Sequence, residues 1–209
     1  MPNWCITDFT FEGKKEEIIK FHKRLNKIIE KESTVDNDFG KGWLGDIVID
    51  FGYHYNDVRC KGEIQDGFIG EVVVNGDIAF FSFSTETAWA PMFEMWDLIL
   101  PKEYPSIRYV YLATEPGQRL YINTDTERKY YNVEYLLELF LPSNVLGKVV
   151  DEYEFCANRD EVLEKVYKIV GKRLDTIDEA LSYLEDLAEE SGEELDSYIK
   201  IVKFEPGFD

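Results

Sequence analysis

From Trp4 to Phe11 apolar and polar residues alternate (Trp-Cys-Ile-Thr-Asp-Phe-Thr-Phe), a period of two that predicts a strand ended by Gly13. The period then lengthens. Ile18, Phe21, Leu25, Ile28 and Ile29 form one apolar stripe, so Lys14 to Glu32 reads as a helix, followed by a polar, glycine-bearing loop over 33–42. Trp43, Ile47 and Phe51 recur every four residues and favour a short helix over a strand. Strands are predicted over Asp57–Ile64, Phe68–Val74 and Ile78–Ser84, with Asn75-Gly76-Asp77 as a hairpin turn. A helix follows from Pro91, where the missing N–H costs nothing, and Pro101 stops it. Ile107–Ala113 and Arg119–Asn123 read as a hairpin whose Glu115-Pro116-Gly117 suits a type II turn. Tyr130–Asn132 reads as a short edge strand and Val133–Phe140 as a short helix before Pro142.

The last third repeats this grammar. Val149–Cys156 reads as a strand. Asn158 with Glu161, and Thr176 with Glu179, have the spacing of helix N-caps, while Gly171 and Ser191-Gly192 end those helices. Tyr198–Phe204 closes the chain as a strand. The expected fold is therefore α+β. Residues 1–140 form a ferredoxin-like split βαβ domain, an antiparallel sheet with helices on one face. Residues 141–209 form an acidic β-α-α-β extension packed on it, with the seam near Pro142.

Charge narrows the partners. The chain of 209 residues carries a net −19, and residues 141–209 hold 18 acidic against 8 basic side chains. Between Arg173 and Lys200 there is no Lys or Arg. Such a surface repels nucleic acid phosphates and anionic lipid, so neither is an expected partner. On the last helix Asp178, Glu185 and Glu189 fall on one side, a solvated face or a surface for a basic protein partner. Met1-Pro2-Asn3-Trp4-Cys5 lacks a basic region followed by an apolar run, and Cys5, Cys60 and Cys156 form no C-x-x-C pair. Buried, reduced thiols in a cytoplasm are expected.

No catalytic pattern is assembled. His22 and His54 are 32 positions apart with no zinc spacing, there is no Gly-x-Ser-x-Gly elbow, and the glycines are too dispersed for a phosphate cradle. Acidic clusters such as Asp36/Asp38 and Glu193/Glu194/Asp196 lack calcium-loop spacing. No metal or cofactor is expected. Thr85-Glu86-Thr87-Ala88-Trp89-Ala90-Pro91 stands out, with Glu86 at the end of an apolar strand beside an indole. Its preferred reading is a structural corner: Thr85, Glu86 or Thr87 caps the helix at Pro91 and Trp89 is wedged between sheet and helix. The rival reading makes Trp43, Glu86, Trp89 and Glu115 a ligand or partner surface.

Met1-Pro2-Asn3-Trp4-Cys5, Trp43-Leu44-Gly45, Arg59-Cys60-Lys61-Gly62, Thr85–Pro91 and Glu115-Pro116-Gly117 occur in that order. As an ordered set over roughly residues 1–135 they resemble the YubB-type ferredoxin-like proteins of plasmids, phages and bacterial mobile regions. The chain departs from that pattern after the Glu-Pro-Gly turn, where it reads Gln118-Arg119-Leu120-Tyr121. The resemblance implies a ferredoxin-like fold in a bacterial cytoplasm and no assigned activity. The expected function is a non-enzymatic interaction module, an accessory protein of a mobile element. The alternative is a small-molecule-binding domain or enzyme with a pocket near Trp43, Trp89 and Glu115.

Overall fold

The computed structural model describes residues 3–192 and 197–207 and is mixed α+β, with antiparallel sheets backed by helices. Two compact units divide the chain, Met1–Thr124 and Asp125–Asp209. Among the described residues no helix is long and apolar enough to cross a membrane.

The first unit is built on β1 (Trp4–Lys14), which lies between β4 (Ile78–Ala88) and β5 (Arg108–Glu115), both antiparallel to it. β6 (Leu120–Asn123) extends the β5 side. On the far side β2 (Gly62–Ile64) and β3 (Val73–Asn75) pair with opposite ends of β4, so one edge strand is broken into two pieces. The register shifts by four residues between those pieces, the extra chain looping out as a 3-10 turn at Gln65–Gly67. Alternation on β1 buries Phe9 and Phe11, and on β4 it buries Phe81 and Phe83 on the same face. The helices α1 (Lys15–Ile29) and α3 (Glu94–Glu103) cover those rings, placing Phe21 and Trp96 among them. Phe11 meets Trp96 edge-on at 5.1 Å and Phe21 at 5.5 Å, the arrangement that ring quadrupoles favour. All five residues of the predicted first-helix stripe are buried.

Toward Cys5 the sheet is lined by Cys5, Thr7, Thr85 and Thr87 in place of rings. The short helix α2 (Leu44–Asp50) forms where the four-residue spacing predicts it, burying Leu44, Gly45, Ile47 and Val48. Gly45 has no room for a side chain, since a Cβ there would sit 2.3 Å from the Trp43 ring.

The second unit holds a three-stranded sheet ordered β8-β7-β9, from β7 (Tyr135–Leu141), β8 (Val150–Cys156) and β9 (Tyr198–Lys203). Helices α5 (Arg159–Val170) and α6 (Ile177–Ser191) pack Val162, Val166, Ala180 and Leu184 against Leu137, Leu139 and Leu141. Both predicted caps form. Asn158 accepts from the Glu161 amide at 3.0 Å and Thr176 from the Glu179 amide at 3.1 Å, and Gly171 and Gly192 close the helices in the left-handed region.

Several boundaries differ from expectation. Residues 133–140 are not a helix: β7 is a central strand with Leu137, Leu139 and Leu141 buried on one face and Leu136 on the other. A strand buried on both faces loses its alternation and reads as a plain apolar run. A short helix α4 (Ser143–Leu146) follows it, so the seam expected near Pro142 falls inside the second unit. Tyr130–Asn132 forms no strand, and only 62–64 of the predicted 57–64 strand and 73–75 around the 68–74 strand are extended pairs. α3 starts at Glu94, three residues past Pro91, and continues through Pro101 to Glu103. Pro101 lies in the last turn, where it forfeits a single hydrogen bond; Pro105 then holds Tyr104 out of the helical region. Glu115-Pro116-Gly117 is no type II turn. Pro116–Gln118 is a 3-10 turn, and the left-handed residue is Arg119, with φ 57°.

Candidate ligand-binding cleft

Backbone pairing draws the separated motifs to one end of the first sheet. The Trp89 amide donates to the Asn3 carbonyl at 2.9 Å, and the neighbouring Ala88 amide to the Lys61 carbonyl at 2.9 Å. The Trp43 indole N–H donates to the Cys60 carbonyl at 2.8 Å. Asn3 also lies against the Glu-Pro-Gly turn, so close that a Cβ on Gly117 would be 2.2 Å from its Nδ2. Five stretches spread over 115 positions of chain thus share one corner.

That corner is open. A cleft of about 740 Å³ lies between the 37–43 loop, the 55–61 loop and the 88–92 segment. Its aromatic lining comes from Phe39, Trp43, Tyr55 and Trp89, and its apolar floor from Ala88 and Met92. Asp38, Asp57, Arg59 and Lys61 supply the charges on its walls. Trp43 is 6% exposed and meets Tyr55 edge-on with ring centroids 5.4 Å apart, so it forms the fixed inner wall. Trp89 is 47% exposed.

The wedge reading of Trp89 is therefore corrected. Its φ is +74°, a left-handed backbone that L residues adopt at a cost of roughly 1–2 kcal/mol. The alternation of β4 ends there, and the indole leaves the sheet–helix interface. Two hydrogen bonds hold the bend: the amide of Trp89 to Asn3, and the Thr87 hydroxyl to the Ala90 carbonyl at 2.8 Å. Thr87 donates to a carbonyl and does not cap the helix; α3 has no side-chain cap at all.

The remaining candidates separate. Glu86 is half-buried on the sheet face opposite Thr85 and Thr87, paired in register with Glu63, and does not line the cleft. Glu63 is raised above the usual carboxylate range, by burial first and then by the charges of Glu86 and Asp66. Glu115 is 1% exposed and spends its carboxylate on the adjoining turn, accepting from the Gly117 amide at 3.0 Å and the Gln118 amide at 2.5 Å. It too lies outside the cleft lining. On α6, Asp178, Glu185 and Glu189 are all exposed; Glu193, Glu194 and Asp196 lie outside the described residues.

His22 is bonded through Nε2 to the Gly70 carbonyl at 2.9 Å, and His54 stacks on Tyr55 at 4.7 Å. Among the described residues no three His, Cys, Asp or Glu side chains are grouped to hold a metal ion. Burial pushes the Cys5 thiol up to about 11, partly opposed by hydrogen bonds with Thr7 and Thr87 and aided by the charge of Glu115, and burial raises Cys60 as well. The cleft therefore offers stacking surface and charge in place of a nucleophile. The sequence reading missed Arg59 and Lys61 as wall residues. Cys60 is buried while Arg59 and Lys61 on either side of it are exposed, in a stretch outside the strand where no period marks them.

Compared with protein-family models, curated proteins and solved structures, the chain matches none.

Proposed function

We propose that residues 1–124 form a ferredoxin-like ligand-binding module of the YubB-type kind, an accessory protein of a bacterial mobile element working in the cytoplasm. The strand order supports the fold reading. With the broken edge taken as one strand, the sequence β-α-β-β-α-β gives a sheet in which the first strand lies between the last and the third. The convergence of the five resembling motifs on one corner supports the family reading.

The cleft carries the binding reading. Its volume falls within the range of small-molecule sites, and it combines a fixed ring, Trp43, with an exposed one, Trp89. A thermal-shift screen of the whole chain against metabolites tests it. A ligand at about 100 times its dissociation constant adds roughly 2.7 kcal/mol of stability. The stabilised compounds should lose their effect in the Trp89→Ala variant. A screen in which no compound raises the midpoint removes this reading.

A second reading places a basic protein partner on the outer face of α6. Asp178, Glu185 and Glu189 are exposed there and make no ion pair among the described residues. Binding on that face weakens steeply with added salt.

A further inference from the structure

Four tryptophans occur in the chain, and the two exposed ones stand at this cleft. Trp89 lines it, held out by a left-handed backbone whose cost no burial offsets. Trp4 is 39% exposed and pairs in register with Ala88 of the cleft floor. Its ring meets Phe39 of the lining edge-on at 6.3 Å, so the aromatic surface runs from the cleft onto its rim. The charges on the walls balance. Asp38 and Asp57 stand against Arg59 and Lys61, all four exposed, and Arg59 is loosely paired at 3.8 Å with a further acid, Glu94. Much of this polar lining is left over by the fold. Asp57 accepts from the His54 amide at 3.3 Å, but the side chains of Asp38, Asn56 and Lys61 make no hydrogen bond or ion pair among the described residues.

We propose that the cleft receives a neutral saccharide, one pyranose ring stacked on Trp89 and its hydroxyls bonded by Asp38, Asn56, Arg59 and Lys61. The proposal rests on the cleft-binding reading and names its ligand class. A hydroxyl both donates and accepts, so it is served best by a wall offering carboxylates and cationic N–H groups in equal number. An ion of either sign gains from one pair of wall charges and opposes the other. The negative face of an indole attracts the weakly positive C–H face of a sugar ring, an attraction that needs no ionic charge. A proline-rich peptide also suits an aromatic groove, but its backbone offers carbonyls and few N–H groups, which leaves the two carboxylates unmatched. Further sugar rings continuing past Phe39 reach Trp4.

The full chain is labelled with 5-fluorotryptophan, and its 19F resonances are assigned with Trp4→Phe, Trp43→Phe and Trp89→Phe variants. Neutral trisaccharides of glucose, N-acetylglucosamine, mannose and xylose are titrated. A glucosamine trimer, a galacturonate trimer, a proline decamer and indole-3-acetamide serve as the cationic, anionic, peptide and aromatic comparisons. At least one neutral trisaccharide should shift the Trp89 and Trp4 resonances and bind about fivefold tighter than either charged trimer. Trp89→Ala should abolish the shift at Trp4, with unchanged circular dichroism. Lys61→Gln and Asp38→Asn drop the charge and keep hydrogen-bonding groups, so affinity should stay within about twofold, whereas Lys61→Met and Asp38→Ala should weaken it about three- to tenfold. If a charged trimer, the proline decamer or the indole amide binds as tightly as the best neutral trisaccharide, the saccharide proposal falls while the cleft reading stands. If nothing moves Trp89, this proposal falls, and the metabolite screen judges the cleft separately.

Discussion

The indole N–H of Trp43 donates to the backbone carbonyl of Cys60 at 2.8 Å, tying the start of α2 to the loop that carries Arg59 and Lys61. The Cys60 carbonyl also accepts from the Gly62 amide at 3.1 Å, and the Ile64 amide donates to the Gly42 carbonyl at 2.9 Å, so the indole bond is one of several polar ties at this wall. Trp43→Phe keeps a ring and deletes the donor. The lost hydrogen bond should cost about 0.5–1.5 kcal/mol in denaturant unfolding, and cleft ligands should bind more weakly.

Trp89 separates a site from a corner. Replacing a core Trp by a small residue costs about 3–5 kcal/mol. At Trp89 glycine relieves a positive φ and removes a side chain already 47% exposed. Trp89→Gly should therefore change stability by less than about 1 kcal/mol while abolishing ligand-induced stabilisation. Equilibrium unfolding with and without ligand reads both. A loss of several kcal/mol would return Trp89 to the wedge role.

Glu115 makes the opposite prediction. Both its oxygens are engaged by the turn that follows, in a position 1% exposed. Glu115→Ala leaves two amides seeking acceptors and should cost about 1–3 kcal/mol. Affinity of the surviving folded protein for cleft ligands should stay within twofold, measured by titration under native conditions.

The thiols and two tyrosines fix the alkaline limit. Cys5 and Cys156 are pushed up to about 11 by burial, and Tyr111 to about 12, mainly by burial and then by nearby acidic groups; Tyr109, half-buried and donating to Asp97, is raised further. Each group holds its proton more tightly when folded. The resulting stability is fully present below the unfolded values of about 9 for thiols and 10 for tyrosines, and is lost as pH rises toward the folded ones. Unfolding free energy should be level from pH 7 to 9 with respect to these groups and fall from 9 to 12. In parallel, a thiol reagent at pH 8 should modify none of the three cysteines rapidly until the chain is unfolded.

Much of the framework was legible along the chain. The β1 alternation, the α1 stripe, the Asn75-Gly76 hairpin and the two capped helices of the second unit are all local signals, each carried by residues within a turn or two of one another. The miss at β7 has the same physical origin. Leucines at 136, 137, 139 and 141 favour a helix locally, and only neighbours on both sides, β8 and β9, make a strand the better use of them. Of the candidate site, Trp43 and Trp89 were legible as rings beside unusual neighbours. Glu86 and Glu115 were drawn in because a carboxylate near a motif looks alike whether it faces solvent, a strand or a turn.

By itself the sequence determined which segments can bury a face and with what period, because those properties depend on neighbours three or four residues away. It also determined the net charge of −19, which depends on composition alone. Only the tertiary structure decided that Asn3, Trp43, Lys61, Trp89 and Gly117 share a corner, since sheet register is set by pairing between strands far apart in the chain. It likewise decided that Trp89 faces outward. One backbone torsion, fixed by hydrogen bonds to Asn3 and within Thr87–Ala90, turns a residue that alternation would bury into the exposed wall of a cleft.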